Sequence, residues 1–350
     1  MQLTGKVTPG GWQIGEQVSF AADHTGANFS SCYIVTKQDN STKKELKAFL
    51  KALDISRFDV SELLSHLKGF NYESELTAHC TLAGMSRVTR MIEAGKIEID
   101  PSLPPVLRNV PFLVLEYAEH GDIRKSVDVS VEVSDQWRFF VLHQAATALM
   151  QLHSQSIAHQ DLKPSNLFLF SKSQVKIGDL GRSSMRGKSA PHDEFPEPGA
   201  RNYSPFEQRY GLGAIPADWV ERRLSTDVFH LGCLTVFVFT NVCFPQYVMN
   251  KLAPCYQPAE WGAASYAEVL PHLQGSMSQA VVELSSDFPE RFRDQLTSLV
   301  VDLCNPDPTI RGRGQKDSLG PAGRLWLQRT VSLLNNLEKA AGIKVVKRNA

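Results

Sequence analysis

An α+β architecture of two segregated lobes, a β-rich one followed by a mainly helical one, is predicted by three observations. Period-two apolar patterning and β-branched runs dominate the first third of the chain. Helical periodicity takes over after Gly121, and no internal repeat or low-complexity segment breaks the two regimes. With 350 residues the chain is long enough to bury a sizeable core, so the segregation reads as lobe structure rather than as a shortage of core.

Trp12, Ile14, Val18 and Phe20 share one parity, the period of a half-buried strand, and CYIVTK from Cys32 is a second β-rich run. Between them lies the turn-rich DHTGANFSS, and KAFLKAL at 47–53 predicts a third strand. From Val60 to about Leu82 the spacing of Leu63, Leu64 and Leu67 is helical, with a break expected at Gly69 before a second helical piece carrying Glu73 and Leu76. SRVTRMIEAGKIEI from Ser86 and VPFLVLEYA from Val110 predict further strands, and the prolines of the intervening DPSLPPVLRN predict a loop without regular structure. Ser134 is a plausible N-cap for a helix over 135–154, with Val141, Ala145, Leu149 and Leu152 on one face. Helices recur at 226–241, within 279–304 and at 323–341.

Basic and acidic side chains balance at 37 each, so net charge gives no reason to expect nucleic acid or an anionic membrane as partner. The six cysteines form no CxxC pair and stand at no zinc-finger spacing, which predicts free thiols in a reducing cytoplasm. MQLTGKVTPGGW carries no basic start followed by an apolar block, so no secretory signal is expected. The most apolar run, VFHLGCLTVFVFTNV from Val228, is short and interrupted by His230 and Asn241; it predicts a buried core helix and no membrane span.

The chemistry concentrates in HQDLKPSNLFLFSKSQVKIGDLG, residues 159–181, where Asp161, Asn166 and Asp179 sit between apolar strand-like runs. Metal-assisted phosphoryl transfer needs such a set: one carboxylate to receive a hydroxyl proton, and an amide and a second carboxylate to hold Mg²⁺ on phosphates.

From about Trp12 to Arg311 the chain resembles the protein kinases: HQDLKPSN is similar to the catalytic loop HRDLKxxN, and DLG to the metal-binding DFG. The resemblance implies that Asp161 orients the substrate hydroxyl and accepts its proton, that Lys163 neutralises the moving γ-phosphoryl group, and that Asn166 and Asp179 bind Mg²⁺. Lys51 in AFLK resembles the strand-three lysine and Glu73 its partner, with Glu75 the competing glutamate and the phase of Leu76 favouring Glu73. FLVLEYAEHGD resembles the hinge, which gives the backbone of Glu116, Tyr117 and Ala118 to the adenine edge of ATP, Leu115 to the back of the pocket and Phe168 to its floor. GARNYSPFEQ resembles GTxxYxAPE, with Glu207 expected to pair with Arg311 and Asp227 to cap the catalytic-loop backbone. By the same resemblance residues 1–11 form an extension, 12–117 the first lobe, and 118–350 the second lobe with a C-terminal helix and short tail.

The departures are specific. Aligned on Phe29 and Tyr33, the Gly-rich loop holds Thr25, Ala27 and Ser30 at its glycine positions, with Gly26 its one glycine; the resemblance implies that Cys32 and Phe49 flank the nucleotide. Gln160 stands where an arginine commonly engages a phosphorylated activation segment, so activity is expected not to depend on that phosphate. Leu180 replaces the DFG phenylalanine, Ala200 a threonine, and PFE stands for APE. The implied function is an ATP- and Mg²⁺-dependent serine/threonine kinase acting on a protein substrate. A pseudokinase scaffold is the alternative, and a small-molecule phosphotransferase is disfavoured by Lys163 and the long activation segment. Lys51→Met is expected to reduce phosphoryl transfer steeply and leave the melting temperature of the nucleotide-free protein nearly unchanged.

Overall fold

The structure, a computed structural model, describes residues 2–19, 29–127, 133–171, 173–211, 219–262, 265–312 and 325–343. In chain order these form strands β1 (Gln13–Gln17), β2 (Ser30–Gln38) and β3 (Glu45–Leu53), helix α1 (Val60–Leu82), β4 (Met91–Glu98), the short α2 (Pro105–Arg108) and β5 (Asn109–Glu116). After these come α3 (Asp135–Ser154), the short strands β6 (Ile157–Ala158), β7 (Leu167–Ser171), β8 (Gln174–Ile177) and β9 (Ser184–Met185), and α4 (Phe206–Arg209). The remainder is helical: α5 (Ser225–Thr240), α6 (Phe244–Lys251), α7 (Tyr266–Leu284), α8 (Arg293–Leu303) and α9 (Leu325–Gly342). A five-stranded sheet followed by helices fits the expected α+β class.

Two compact units divide the chain, one of residues 1–121, 168–181 and 190–192, the other of 122–167, 182–189 and 193–350. In the first, the antiparallel sheet runs β1-β2-β3-β5-β4. Ala48, Leu50 and Ala52 turn one way into a core with Tyr33, Val35, Val114 and Phe112, so strand alternation turns Phe49 and Lys51 the other way. Residues ahead of β1 fold back on this sheet. Leu3 is fully buried, its N–H donating to the Tyr33 hydroxyl at 3.3 Å, while Thr8 Oγ1 and the Gly10 N–H each donate to the Glu93 carboxylate at 2.9 Å.

Helix α1 is continuous, without the break expected at Gly69. A mid-helix glycine costs about 1 kcal/mol relative to alanine, and here the Asp59 N-cap and the buried Leu63, Phe70, Tyr72 and Leu76 outweigh it over 23 residues. The proline-rich 100–109 segment contains the helical turn α2 after all, because Pro105 occupies the first helical position, where no backbone donor is required. Residues 86–90, expected in a strand, precede β4. There Val88 bridges Ile177, and the Thr89 N–H donates to the Ile177 carbonyl at 2.8 Å.

In the second unit every residue of α5 from Ser225 to Phe239 is buried, as a helix apolar on all sides must be. Among the described residues no single helix is long and apolar enough to cross a membrane. Helix α9 packs along α3, with His143 Nδ1 2.9 Å from Glu338 Oε2.

Candidate active site

In the first unit, Lys51 on β3 lies opposite Cys32 of β2 and Leu113 of β5. Its Nζ donates to Glu73 Oε1 of α1 at 2.7 Å and to Asp179 Oδ1 at 2.9 Å. Burial pulls the ammonium pKa down, but Asp179 and Glu73 together outweigh it, so Lys51 sits above the ordinary lysine value. Burial likewise pushes the Cys32 thiol up to about 12, leaving it protonated and unreactive. Asp179 holds a left-handed backbone, φ 62°, and the glycines beside it allow close approach. A Cβ on Gly178 would lie 2.7 Å from the Phe168 ring and 2.8 Å from Thr89 Oγ1; one on Gly181 would meet Glu73 Oε2 at 3.1 Å.

The same unit contains 115–118. Leu115 pairs with Phe49 across β3 and β5. Glu116 accepts from Lys176 Nζ at 2.5 Å and from the Arg90 N–H at 2.7 Å, while its own N–H donates to the Arg90 carbonyl. Tyr117 lies just past the end of β5, and the Ala118 carbonyl accepts from the Gly121 N–H. Ser30 begins β2, paired with Leu53. Thr25, Gly26 and Ala27 lie outside the described residues, so the structure gives no account of the degenerate loop. Next to it, the Phe29 ring packs on Phe58 and on His66 of α1, at 5.7 and 4.6 Å.

The second unit holds Asp161, Lys163 and Asn166, all nearly fully buried. Asp161 Oδ1 accepts the Ala200 N–H at 2.7 Å; Oδ2 accepts Lys163 Nζ at 2.8 Å and Asn166 Nδ2 at 3.1 Å. Asn166 Nδ2 also donates to the Asp161 carbonyl at 2.8 Å, so the amide oxygen is what Asn166 has left to offer. Such an oxygen is a hard donor, the kind that Mg²⁺ takes. Asn166 and Asp179 belong to different units.

Buried Asp227 of α5 holds the loop backbone: its carboxylate accepts the His159 and Gln160 N–H groups at 2.8 and 2.7 Å, and His153 Nε2 lies at 2.8 Å. Burial raises the Asp227 pKa, but the bonds and charges of His153 and His159 and the Gln160 N–H outweigh it and leave the carboxyl below its ordinary value. These bonds hold Gln160 at φ 62°, a region that costs a non-glycine residue about 1–2 kcal/mol.

Sequence reasoning missed two features here. The backbone N–H of Ala200 reaches Asp161 without any hydroxyl, and a Cβ on the preceding Gly199 would lie 2.3 Å from the Gln160 carbonyl oxygen. The only signal was a glycine one residue before the expected threonine.

Glu207 and Arg311 form a bidentate fork at 2.8 and 2.7 Å, with the Arg311 guanidinium 4.9 Å over the Phe229 ring. Arg311 is fully buried, so Arg311→Met strands the Glu207 charge. We expect a stability loss of about 3–5 kcal/mol by urea titration, partly recovered in the Glu207→Gln double variant. A loss under about 1 kcal/mol would show the fork to be no stronger than a surface pair.

The model of the protein kinase domain family matches residues 27–314. Over 204 residues the chain is 28% identical to the inactive serine/threonine-protein kinase PLK5 of Mus musculus, covering 56% of this chain and 30% of that protein. It is 25% identical over 207 residues to the probable serine/threonine-protein kinase nek2 of Dictyostelium discoideum, 57% of this chain and 42% of that one. A shorter match, 39% over 72 residues, joins it to the Aurora/IPL1-related protein kinase 2 of Caenorhabditis elegans, 21% of this chain and 24% of the other. The matched region spans less than half the length of each of these relatives.

Proposed function

Because the chain belongs to the protein kinase family, we propose that it is a serine/threonine protein kinase, transferring the γ-phosphoryl group of ATP to a protein hydroxyl with Mg²⁺. The observation that carries this reading is the Lys51–Glu73 ion pair at 2.7 Å, the contact that an active kinase requires between strand three and its first helix. When bound, ATP supplies the γ-phosphoryl group and leaves as ADP, and Mg²⁺ offsets the charge on its phosphates. Asp161 orients the attacking hydroxyl and takes its proton as the new oxygen–phosphorus bond forms. Lys163, held on Asp161, faces the transferred group with its positive charge, and Lys51 meets the α and β phosphates. By the family resemblance, Asn166 and Asp179 would supply the protein oxygens to Mg²⁺. The backbone of Glu116 to Ala118 receives the adenine edge between Leu115 and Phe168, with Cys32 and Phe49 against the ring. The same reading assigns the protein to a reducing cytoplasm, which its six free cysteines support.

A scaffold with this fold and little catalysis is the second reading, favoured by the likeness to a relative named as inactive and by Thr25, Ala27 and Ser30 at glycine positions. Incubation with γ-labelled ATP, Mg²⁺ and a panel of protein substrates separates the two. Label that requires Asp161 supports the kinase; equal labelling by wild type and the Asp161→Ala variant would sink it.

Gly199→Ala is expected to push residues 199–200 off the catalytic loop and lower the transfer rate about 10-fold, as a loosened positioning contact does. A wild-type rate in this variant would mean that the Ala200 N–H bond is dispensable.

A further inference from the structure

Gln160 does not stand idle at the arginine position of the HRDLKxxN motif. Its Nε2 donates to the Arg182 carbonyl at 2.9 Å and to Ser184 Oγ at 2.8 Å, while its Oε1 accepts from Arg223 Nη1 at 2.5 Å. Arg223 Nη2 in turn donates to the Asp193 carbonyl at 2.7 Å and to Asp193 Oδ1 at 3.1 Å, and Ser184 Oγ donates to the same Oδ1 at 2.9 Å. Arg222 adds a bond to the Asp193 carbonyl. The result is a closed ring, Gln160–Ser184–Asp193–Arg223, in which all but Asp193 are nearly fully buried.

The charges in this ring are placed differently from the family pattern. The cation comes from the π-helical turn Val220–Leu224 ahead of α5, an irregularity that recurs at functional sites. The anion is a carboxylate carried by the activation segment itself. A guanidinium with 3% side-chain exposure needs a fixed anion, and Asp193 is negative whether or not a kinase has acted on the segment. Gln160 passes the constraint on, since it adjoins Asp161 and its backbone is fixed on the other side by Asp227.

We propose that Arg223 is a positioning residue that, paired with Asp193 and bonded to Gln160, locks the activation segment onto the catalytic loop in place of a segment phosphate. Its bearing on the reaction rests on the assignment of Asp161 as the proton acceptor. The lock itself is a statement about order in residues 182–193, with a readout of its own.

The test uses the full chain as wild type, Arg223→Gln, Asp193→Asn and Asp193→Glu, each treated with phosphatase, and measures kcat, the KM for ATP and amide hydrogen exchange over 182–193. Dephosphorylated wild type is expected to keep its kcat. Arg223→Gln and Asp193→Asn are expected to lose about 10- to 100-fold in kcat with the KM for ATP within about threefold, and to exchange about 10-fold faster over 182–193. Asp193→Glu, which keeps the charge, should recover most of both, as a residue that only fills space would not. Asp193 is partly exposed, so its substitution tests the pair even where Arg223→Gln fails to fold. A kcat that collapses on phosphatase treatment, or unchanged exchange in Asp193→Asn, overturns the proposal. Should wild type transfer no phosphate, the kinase reading falls, and the exchange comparison alone decides the lock.

Discussion

Asp161→Asn is expected to slow phosphoryl transfer about 10²- to 10⁴-fold, the range of a lost general base. The geometry adds a second effect. The Asp161 carboxylate accepts from the Ala200 N–H on one oxygen and from Lys163 and Asn166 on the other, so three donors converge on it. A carboxamide has one acceptor oxygen; whichever way it turns, its NH₂ faces a donor, and buried Lys163 loses its counter-charge. A stability loss of about 1–3 kcal/mol accompanies the rate loss, the cost of a stranded buried polar group. Labelled transfer and a thermal melt on the same preparation check both halves. A full loss of rate with an unshifted melt would mean that the three bonds loosen in solution.

Lys51→Met is expected to lower transfer at least about 100-fold, because both its phosphate contact and its hold on Glu73 vanish. It is also expected to cost about 3–5 kcal/mol of stability, since two carboxylates are left facing each other without a cation. The sequence alone suggested a nearly unchanged melting temperature for the nucleotide-free protein. That expectation treated Lys51 as a ligand-facing group, whereas its ammonium lies between Glu73 and Asp179 with 12% side-chain exposure. The Lys51→Met/Glu73→Gln double variant is expected to regain part of the stability and none of the activity. A double variant less stable than the single one would refute the electrostatic account.

What was legible in the sequence was what short spacing or side-chain chemistry encodes. The Ser134 cap and its helix stand at the bounds expected, because both signals are local. Asp161 and Asn166, five residues apart, are tied by hydrogen bonds of the loop itself. The partners of Asp227 and Arg311 were legible only through family resemblance, since nothing local to 227 or 311 points to residues some 70 to 100 positions away. The Ala200 bond was hidden because a backbone N–H is common to every residue but proline. Gln160 was legible as a missing arginine and no further: that Arg223 supplies the cation depends on where a helical turn brings it, which composition does not record. Gly69 misled for the opposite reason, a real local preference overruled by the buried face around it.

The fold-back ahead of β1 bears on what counts as the unit of this protein. Leu3, Trp12 and Ile14 belong to the same apolar cluster as Tyr33, Leu50 and Val114, yet all three precede residue 27, where the family match begins. The region that the family model matches is therefore shorter than the region that folds together. A chain trimmed to residues 27–314 would leave Glu93 without the Thr8 and Gly10 donors and expose the side of the sheet that Leu3 covers.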